Sequence, residues 1–224
     1  MLGAERLSRG DSGFGLSRAV RPLPPYDTVL KRVLDVLLAS LALVATLPLW
    51  LAIVIAIRFD SPGQAIFVQE RVGLHGKRFR FYKFRSMHTD AEHRLAELQT
   101  SNEVSGPVFK MRSDPRITRM GQLLRRTSLD ELPQLLNVLK GEMSLVGPRP
   151  PLPREVAQYR PSDAVRLSVK PGLTCLWQVS GRSTVSFDDW MALDREYVYN
   201  LSFWLDLRIL VRTVGAVLNM RGAY

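Results

Sequence analysis

The stretch from Val36 to Ile57, VLLASLALVATLPLWLAIVIAI, runs for 22 residues without a charged side chain. At a rise of about 1.5 Å per residue, a helix of this length matches the roughly 30 Å hydrocarbon core of a bilayer, so the segment belongs in lipid. A cleaved leader does not fit. The apolar run is too long, and it leaves through Arg58-Phe59-Asp60 with no small-residue cleavage site. Lys31 and Arg32 stand before the segment, with Arg18 and Arg21 further back. Arg58, Arg71, Lys77, Arg78 and Arg80 follow it. Both flanks are basic, so both satisfy the preference for the cytoplasmic side. Pro48, near the midpoint, removes a backbone hydrogen bond and favours a bend, and Thr46 is close enough to satisfy a freed backbone group. The residues alone leave two readings open: a helix that spans, or one that is broken at Pro48 and returns to its own side.

The chain has 224 residues, enough for one domain with a small appendage. At 46% hydrophobic and 23% charged residues it is a folding chain rather than a disordered polyelectrolyte. The lone Cys175 excludes a disulfide scaffold, and no Cys/His cluster suggests a zinc finger. Thirty-one Lys and Arg against 21 Asp and Glu give a net charge of +10, which favours an anionic partner: nucleic acid, lipid head groups or a phosphorylated substrate. Residues 1–28, rich in Gly, Ser and Arg, are expected to be a mobile tail. As only this tail precedes the apolar segment, further N-terminal spans or domains are not expected. The membrane segment is placed at 29–58 and a polar domain at 59–224.

In the polar domain, residues 66–72 and 79–85 are β-prone and flank a turn with Gly73 and Gly76, which predicts a hairpin. Alternation puts Lys83 and Arg85 on one face, where they suit either an anion or the protection of an edge strand. A short polar helix is expected over 90–100 and a loop with Gly106-Pro107 over 101–108. Apolar residues at helical spacing predict helices over 117–126 and 132–139, the second capped by Gly141. Between them stands Ser128-Leu129-Asp130-Glu131-Leu132-Pro133. Ser128 with Glu131 spells a capping box, but Pro133 fits better if Asp130 is the cap, so both acids are expected at a helix N-terminus. Such an end suits carboxylates and phosphates equally. Pro148 and Pro150 hold Arg149 in a rigid turn, as bidentate phosphate recognition requires. A second turn-rich stretch, 170–182, carries Gln178 and Arg182. Residues 203–212 are amphipathic and begin with aromatics, which suits a helix at a membrane surface or one in a core.

Five motifs occur in order: Lys83-Phe84-Arg85-Ser86-Met87, Asp114-Pro115-Arg116-Ile117-Thr118, Ser128-Leu129-Asp130-Glu131-Leu132-Pro133-Gln134, Met143-Ser144-Leu145-Val146-Gly147-Pro148-Arg149-Pro150 and Pro171-Gly172-Leu173-Thr174. Together they closely resemble the bacterial sugar transferases, the monotopic phosphoglycosyl transferases, from about Lys31 to the C-terminus. The resemblance implies an α+β, mainly helical fold with a re-entrant membrane helix broken at Pro48. It adds a small catalytic domain on the cytoplasmic face of the bacterial inner membrane, with a short β-hairpin and amphipathic interfacial helices.

It further implies transfer of a sugar 1-phosphate from a UDP-sugar to undecaprenyl phosphate with release of UMP, the first membrane step of exopolysaccharide or glycoconjugate synthesis. Mg²⁺ is the implied cofactor. Asp130 would be the nucleophile, forming a phosphoryl-aspartate, and Glu131, with Asp130, would hold the metal. Arg125 and Arg149 match arginines around the phosphates, with Lys83 and Arg85 as further candidates; Arg182 and Gln178 fall near the nucleotide. The stretch from Trp177 to Arg182 looks more like relatives that carry glucose or galactose. Membrane lipid is an expected partner, and downstream glycosyltransferases and a second copy of the chain are further candidates. One departure stands out: Cys175 replaces the family's usual glycine, and would be strained at a positive φ. A non-catalytic membrane adaptor is the rival reading. Nucleic acid is not an expected partner, because no binding motif accompanies the charge. His75, His88 and His93 lack metal-ligand spacing.

Overall fold

The computed structural model describes Tyr26 and residues 29–103, 108–109, 111–180 and 186–218. The apolar segment forms one helix, α1 (Leu30–Asp60), which runs through Pro48. The chain then makes an antiparallel hairpin of β1 (Ile66–Val72) and β2 (Arg78–Phe84), and α2 (Ala91–Leu98). Next come α3 (Arg119–Thr127), α4 (Gln134–Lys140), β3 (Ser144–Val146), α5 (Pro153–Val156) and β4 (Gly172–Thr174). The described chain closes with α6 (Leu176–Ser180), α7 (Phe187–Tyr199) and α8 (Phe203–Leu218). The fold is mainly helical with two small sheets, as expected for the α+β class, the second being β3 paired in parallel with β4.

α1 shows why a long apolar helix need not be a free rod. One stripe of it is buried: Lys31, Asp35 and Ala39 near its start, Ile53 and Ile57 near its end. The two buried polar residues at the start each have a partner. Lys31 pairs with Asp206. Asp35 accepts bonds from the Ser144 hydroxyl at 3.0 Å and the Leu145 amide at 2.9 Å. Beside them, Arg32 donates to the carbonyls of Val138 and Leu139, at 2.6 and 2.7 Å, where α4 ends and its dipole favours a cation. At the other end Ile53 and Ile57 pack with Ala65, Phe84 and Leu124. The Trp50 ring meets Phe84 edge-on at 5.3 Å, and Asp60 accepts from the Met120 amide at 3.1 Å. Both ends of the helix therefore touch the polar domain, while Leu41, Val44, Leu47 and Leu51 between them are exposed. Thr46 donates to the Ala42 carbonyl at 2.7 Å, one turn back, rather than to Val44, whose carbonyl loses its donor at Pro48.

Tyr26, at the end of the expected tail, is docked: its hydroxyl donates to Asp206 at 2.9 Å and its ring meets Phe203. α8 has two faces. Asp206 and Ile209 are buried, while Trp204, Leu207, Val211 and Val214 form an exposed apolar row beside Arg208 and Arg212.

The main core joins Ala39, Phe81, Leu135, Val138, Met143, Val146, Tyr197 and Ile209. Asn137 is fully buried within it and ties the hairpin to α4. Its Oδ1 accepts from the Tyr82 amide at 3.2 Å, and its Nδ2 donates to the Arg80 carbonyl at 2.6 Å and to Glu142 at 2.7 Å. Gly141 closes α4 at φ +82, the cap its position predicted. Gly172 is required by proximity: a Cβ there would lie 2.1 Å from the Gly147 nitrogen, so the β3 and β4 backbones could not meet.

Replacing Asn137 with leucine leaves the Tyr82 amide and Arg80 carbonyl buried without partners, at a cost of about 1–3 kcal/mol for each abandoned group. Thermal melts of Asn137→Leu in detergent should show a large drop in the midpoint; a midpoint within a degree of wild type would remove Asn137 as the tie.

Candidate active site

The hairpin register decides which side chains face the acid pair. Phe67, Gln69 and Arg71 pair with Lys83, Phe81 and Phe79, so all six share one face of the sheet. Asn137 fixes β2 against α4, and the acid pair stands just before α4.

The acids do not cap a helix as the sequence suggests. α3 ends at Ser128, which adopts a left-handed conformation (φ +59) and donates its amide to the Arg125 carbonyl at 3.1 Å. A 3₁₀ turn, Leu129–Glu131, follows, and Pro133 occupies the cap position of α4. Proline does fall where an amide is dispensable, but at the cap itself rather than at the third helical position expected with Asp130 as the cap. Asp130 makes no capping bond, and its carboxylate turns instead to the hairpin.

There, the Lys83 ammonium lies 2.8 Å from Glu131 Oε1 and 3.3 Å from Asp130 Oδ2. Arg149 reaches the same Glu131 oxygen at 3.4 Å. The Asp130 side chain is only 8% exposed and that of Glu131 18%, so both carboxylates depend on these cations. The two acids are unequal. Burial raises the Glu131 carboxyl, but the charges of Lys83 and Arg149 overcome it and hold the group down at about 2. Asp130 has only the longer Lys83 contact and lies beside the Glu131 charge; burial keeps it above the usual carboxylate range.

Arg125 lies on the same side, its Nε donating to the Ser86 hydroxyl at 2.9 Å. Arg85 is not at the acid pair: its guanidinium is committed to the carbonyls of Ser61 and Pro62, where α1 hands over to β1. It anchors the end of α1 and also reaches the cavity wall.

The acid pair opens into a cavity of about 950 Å³, lined also by Lys83, Arg125, Arg149 and Gln178. Gln178 stands on α6 and accepts from the buried Cys175 thiol at 3.1 Å, which orients its amide. Cys175 does not adopt a positive φ, so the glycine-to-cysteine change brings no backbone strain, and burial pushes its thiol well up. Arg182, Gly106 and Pro107 lie outside the described residues. Sequence reasoning missed Arg71, which also lines the cavity, and Ser86, which holds Arg125. Arg71 reads in the sequence as one more basic residue after an apolar segment; only the strand register shows where it points.

Comparison with known proteins completes the description. The family model for bacterial sugar transferases matches residues 26–220. The chain is 47% identical over 223 residues to "Galactosyl transferase CpsE" of Streptococcus agalactiae, covering 99% of this chain and 49% of that protein, so it spans about half the length of that relative. It is 40% identical over 217 residues to "Exopolysaccharide production protein ExoY" of Sinorhizobium fredii, covering 95% of this chain and 96% of that one. It is also 42% identical over 214 residues to "UDP-glucose:undecaprenyl-phosphate glucose-1-phosphate transferase" of Caulobacter vibrioides, covering 91% and 75%.

Glu131 carries a lowered folded-state pKa, so its contribution to stability is present above the ordinary glutamate range and fades as pH falls toward 2. Lys83→Met leaves two carboxylates buried together, which raises their folded-state proton affinity above that of the unfolded chain; stability is then lost as pH rises. The melting deficit of Lys83→Met relative to wild type should be larger at about pH 8 than at about pH 5. Equal deficits would show that the ammonium does not hold the pair charged.

Proposed function

The chain belongs to the bacterial sugar transferase family, and on that premise we propose that it moves a hexose 1-phosphate, glucose or galactose 1-phosphate, from a UDP-sugar to undecaprenyl phosphate. UMP is released, and the reaction serves exopolysaccharide or glycoconjugate synthesis at the inner membrane. The relatives' names support this substrate class: one is a galactosyl transferase, one an exopolysaccharide production protein and one a transferase of glucose 1-phosphate to undecaprenyl phosphate. The observation that carries the reading is the single Lys83 ammonium shared by the buried Asp130 and the part-buried Glu131 carboxylates beside Arg149, in a cavity large enough for a nucleotide sugar.

Asp130 is the better nucleophile of the pair. Glu131 is pinned by two cations and is the weaker base, whereas Asp130 is buried, more basic and held by one longer contact. Its carboxylate oxygen attacks the phosphorus that bears the sugar, the bond from that phosphorus to the UMP oxygen breaks, and UMP leaves with the electron pair. The enzyme keeps a phosphoryl-aspartate. An oxygen of undecaprenyl phosphate then attacks the same phosphorus and frees Asp130. Arg149 and Arg125 bind and orient the phosphates. Lys83 favours the charged form of both carboxylates between turnovers.

The residues also fit Mg²⁺. Asp130 and Glu131 both reach one nitrogen, so their oxygens converge on a point, and two carboxylates with substrate phosphates are the donor set this ion prefers. Among the described residues no group of three or more acids, histidines or cysteines offers an all-protein cage. When bound, the ion would offset repulsion between an anionic nucleophile and a diphosphate.

The membrane arrangement follows from α1. Its two ends contact one polar domain, through Arg32 and α4 at the start and Asp60 and α3 at the finish, which favours entry and exit on the cytoplasmic face over a span. The exposed apolar row of α8, whose start is joined to the start of α1 by the Lys31–Asp206 pair, suits contact with the same bilayer face.

Detergent-solubilised protein with Mg²⁺, undecaprenyl phosphate and a panel of UDP-hexoses should release UMP, and Asp130→Asn should lose at least about a thousandfold of that rate. Normal turnover in Asp130→Asn would contradict the nucleophile assignment, and no UMP from any UDP-sugar would favour a non-catalytic adaptor. Cysteines placed near positions 25 and 60 should both be labelled from the cytoplasmic side; labelling from opposite sides would mean a span.

A further inference from the structure

Arg71 makes no direct ion pair among the described residues; the Glu155 and Glu131 carboxylates act on it only from a distance. Of its five N–H donors, Nε and Nη2 give bonds to Gln69 Oε1 at 3.1 and 2.8 Å, and Nη1 gives one to the Pro150 carbonyl at 2.9 Å. Both acceptors are neutral. The guanidinium is partly buried, lies 5.2 Å from the Phe81 ring centre, and makes no ion pair among the described residues. The acids that act on it electrostatically are engaged elsewhere: Glu155 accepts from the Leu152 amide at 2.8 Å, and Glu131 is held by Lys83 and Arg149. Arg149 and Arg154 add repulsion rather than relief. Burial and the Arg149 charge push the Arg71 guanidinium down to about 10, so it remains a cation at neutral pH.

A cation held this way is costly unless an anion completes it. Two features show where that anion would sit. Arg71 faces the same cavity as the acid pair, and its bonds to Gln69 and Pro150 leave two N–H groups uncommitted. The Pro150 bond also ties Arg71 to the turn that presents Arg149, and both residues line the cavity.

We propose that Arg71, together with Arg149, forms a second phosphate subsite of the cavity, built for a phosphate monoester. This rests on the transferase reading, which supplies two such monoesters: UMP, the leaving group of the first step, and the polyprenyl phosphate that accepts the sugar phosphate in the second. If UMP is the occupant, Arg71 stabilises the negative charge that the departing phosphate gains as its bond to the sugar-bearing phosphorus breaks. If the lipid phosphate is the occupant, Arg71 holds it in place for attack.

The test is equilibrium binding to the full chain in nanodiscs, with UMP alone and undecaprenyl phosphate alone as probes. Arg71→Met should raise the Kd of at least one probe about tenfold or more, and Arg71→Lys should raise it less, because the charge stays and the fork is lost. A loss confined to UMP assigns the subsite to the nucleotide, a loss confined to the lipid assigns it to the acceptor, and a loss of both shows successive use. Unchanged affinity for both probes in a folded Arg71→Met, or in Arg71→Lys if the methionine variant does not fold, overturns the subsite. Wild-type protein that binds neither probe and releases no UMP would instead remove the transferase reading on which the subsite rests.

Discussion

The side-chain amide of Asn137 is the constraint on which the site depends. A two-stranded hairpin has little stability of its own. This one is held to α4 because Asn137 accepts from one β2 backbone group and donates to another. That attachment sets the sheet face from which Lys83 and Arg71 project and brings Lys83 against carboxylates that follow α3 in sequence. The contacts of α1 act on the same frame from outside. Arg32 caps α4, Asp35 holds β3, and Arg85 grips the end of α1. The long apolar helix and the charged cavity are thus parts of one packed unit.

Electrostatics then divides the labour. Two adjacent carboxylates in one environment would titrate together; here, Glu131 takes the stronger share of the cations and Asp130 the weaker. The first becomes a weak base suited to holding a cation, the second a more basic group suited to attacking phosphorus. On the proposed reaction the chain's excess of positive charge has a matching logic, because the cavity would receive a diphosphate, release one phosphate monoester and admit another.

Much of this was legible in the sequence because it depends on local pattern. The uncharged run announces α1, β-prone residues around two glycines announce the hairpin, and Gly141 marks the end of α4. The acid pair stands out because two acids exceed what a cap needs. What was not legible depends on distant partners. The left-handed Ser128 and the 3₁₀ turn displace Asp130 from the cap position, and no spacing rule encodes that choice. Arg85 shares a strand face with Lys83 by alternation, yet carbonyls from the end of α1 claim it first. Asn137 resembles any polar residue on a short helix until its burial is seen, and Arg71 looks like one more flanking charge until the register aims it into the cavity. The residue pattern alone left the path of α1 open between spanning and returning, and only the family resemblance implied return, because nothing in a stretch of apolar side chains encodes which side its far end joins.

The account's central claim is that a carboxylate of this chain carries the sugar phosphate between two substrates. Intact-mass spectrometry tests it most directly, on protein quenched after mixing with Mg²⁺ and its UDP-sugar but with no lipid acceptor. A species heavier by one hexosyl phosphate, mapped to Asp130 and discharged when undecaprenyl phosphate is added, is the predicted result. Turnover with lipid in which rapid quenching never yields a modified chain would contradict the claim.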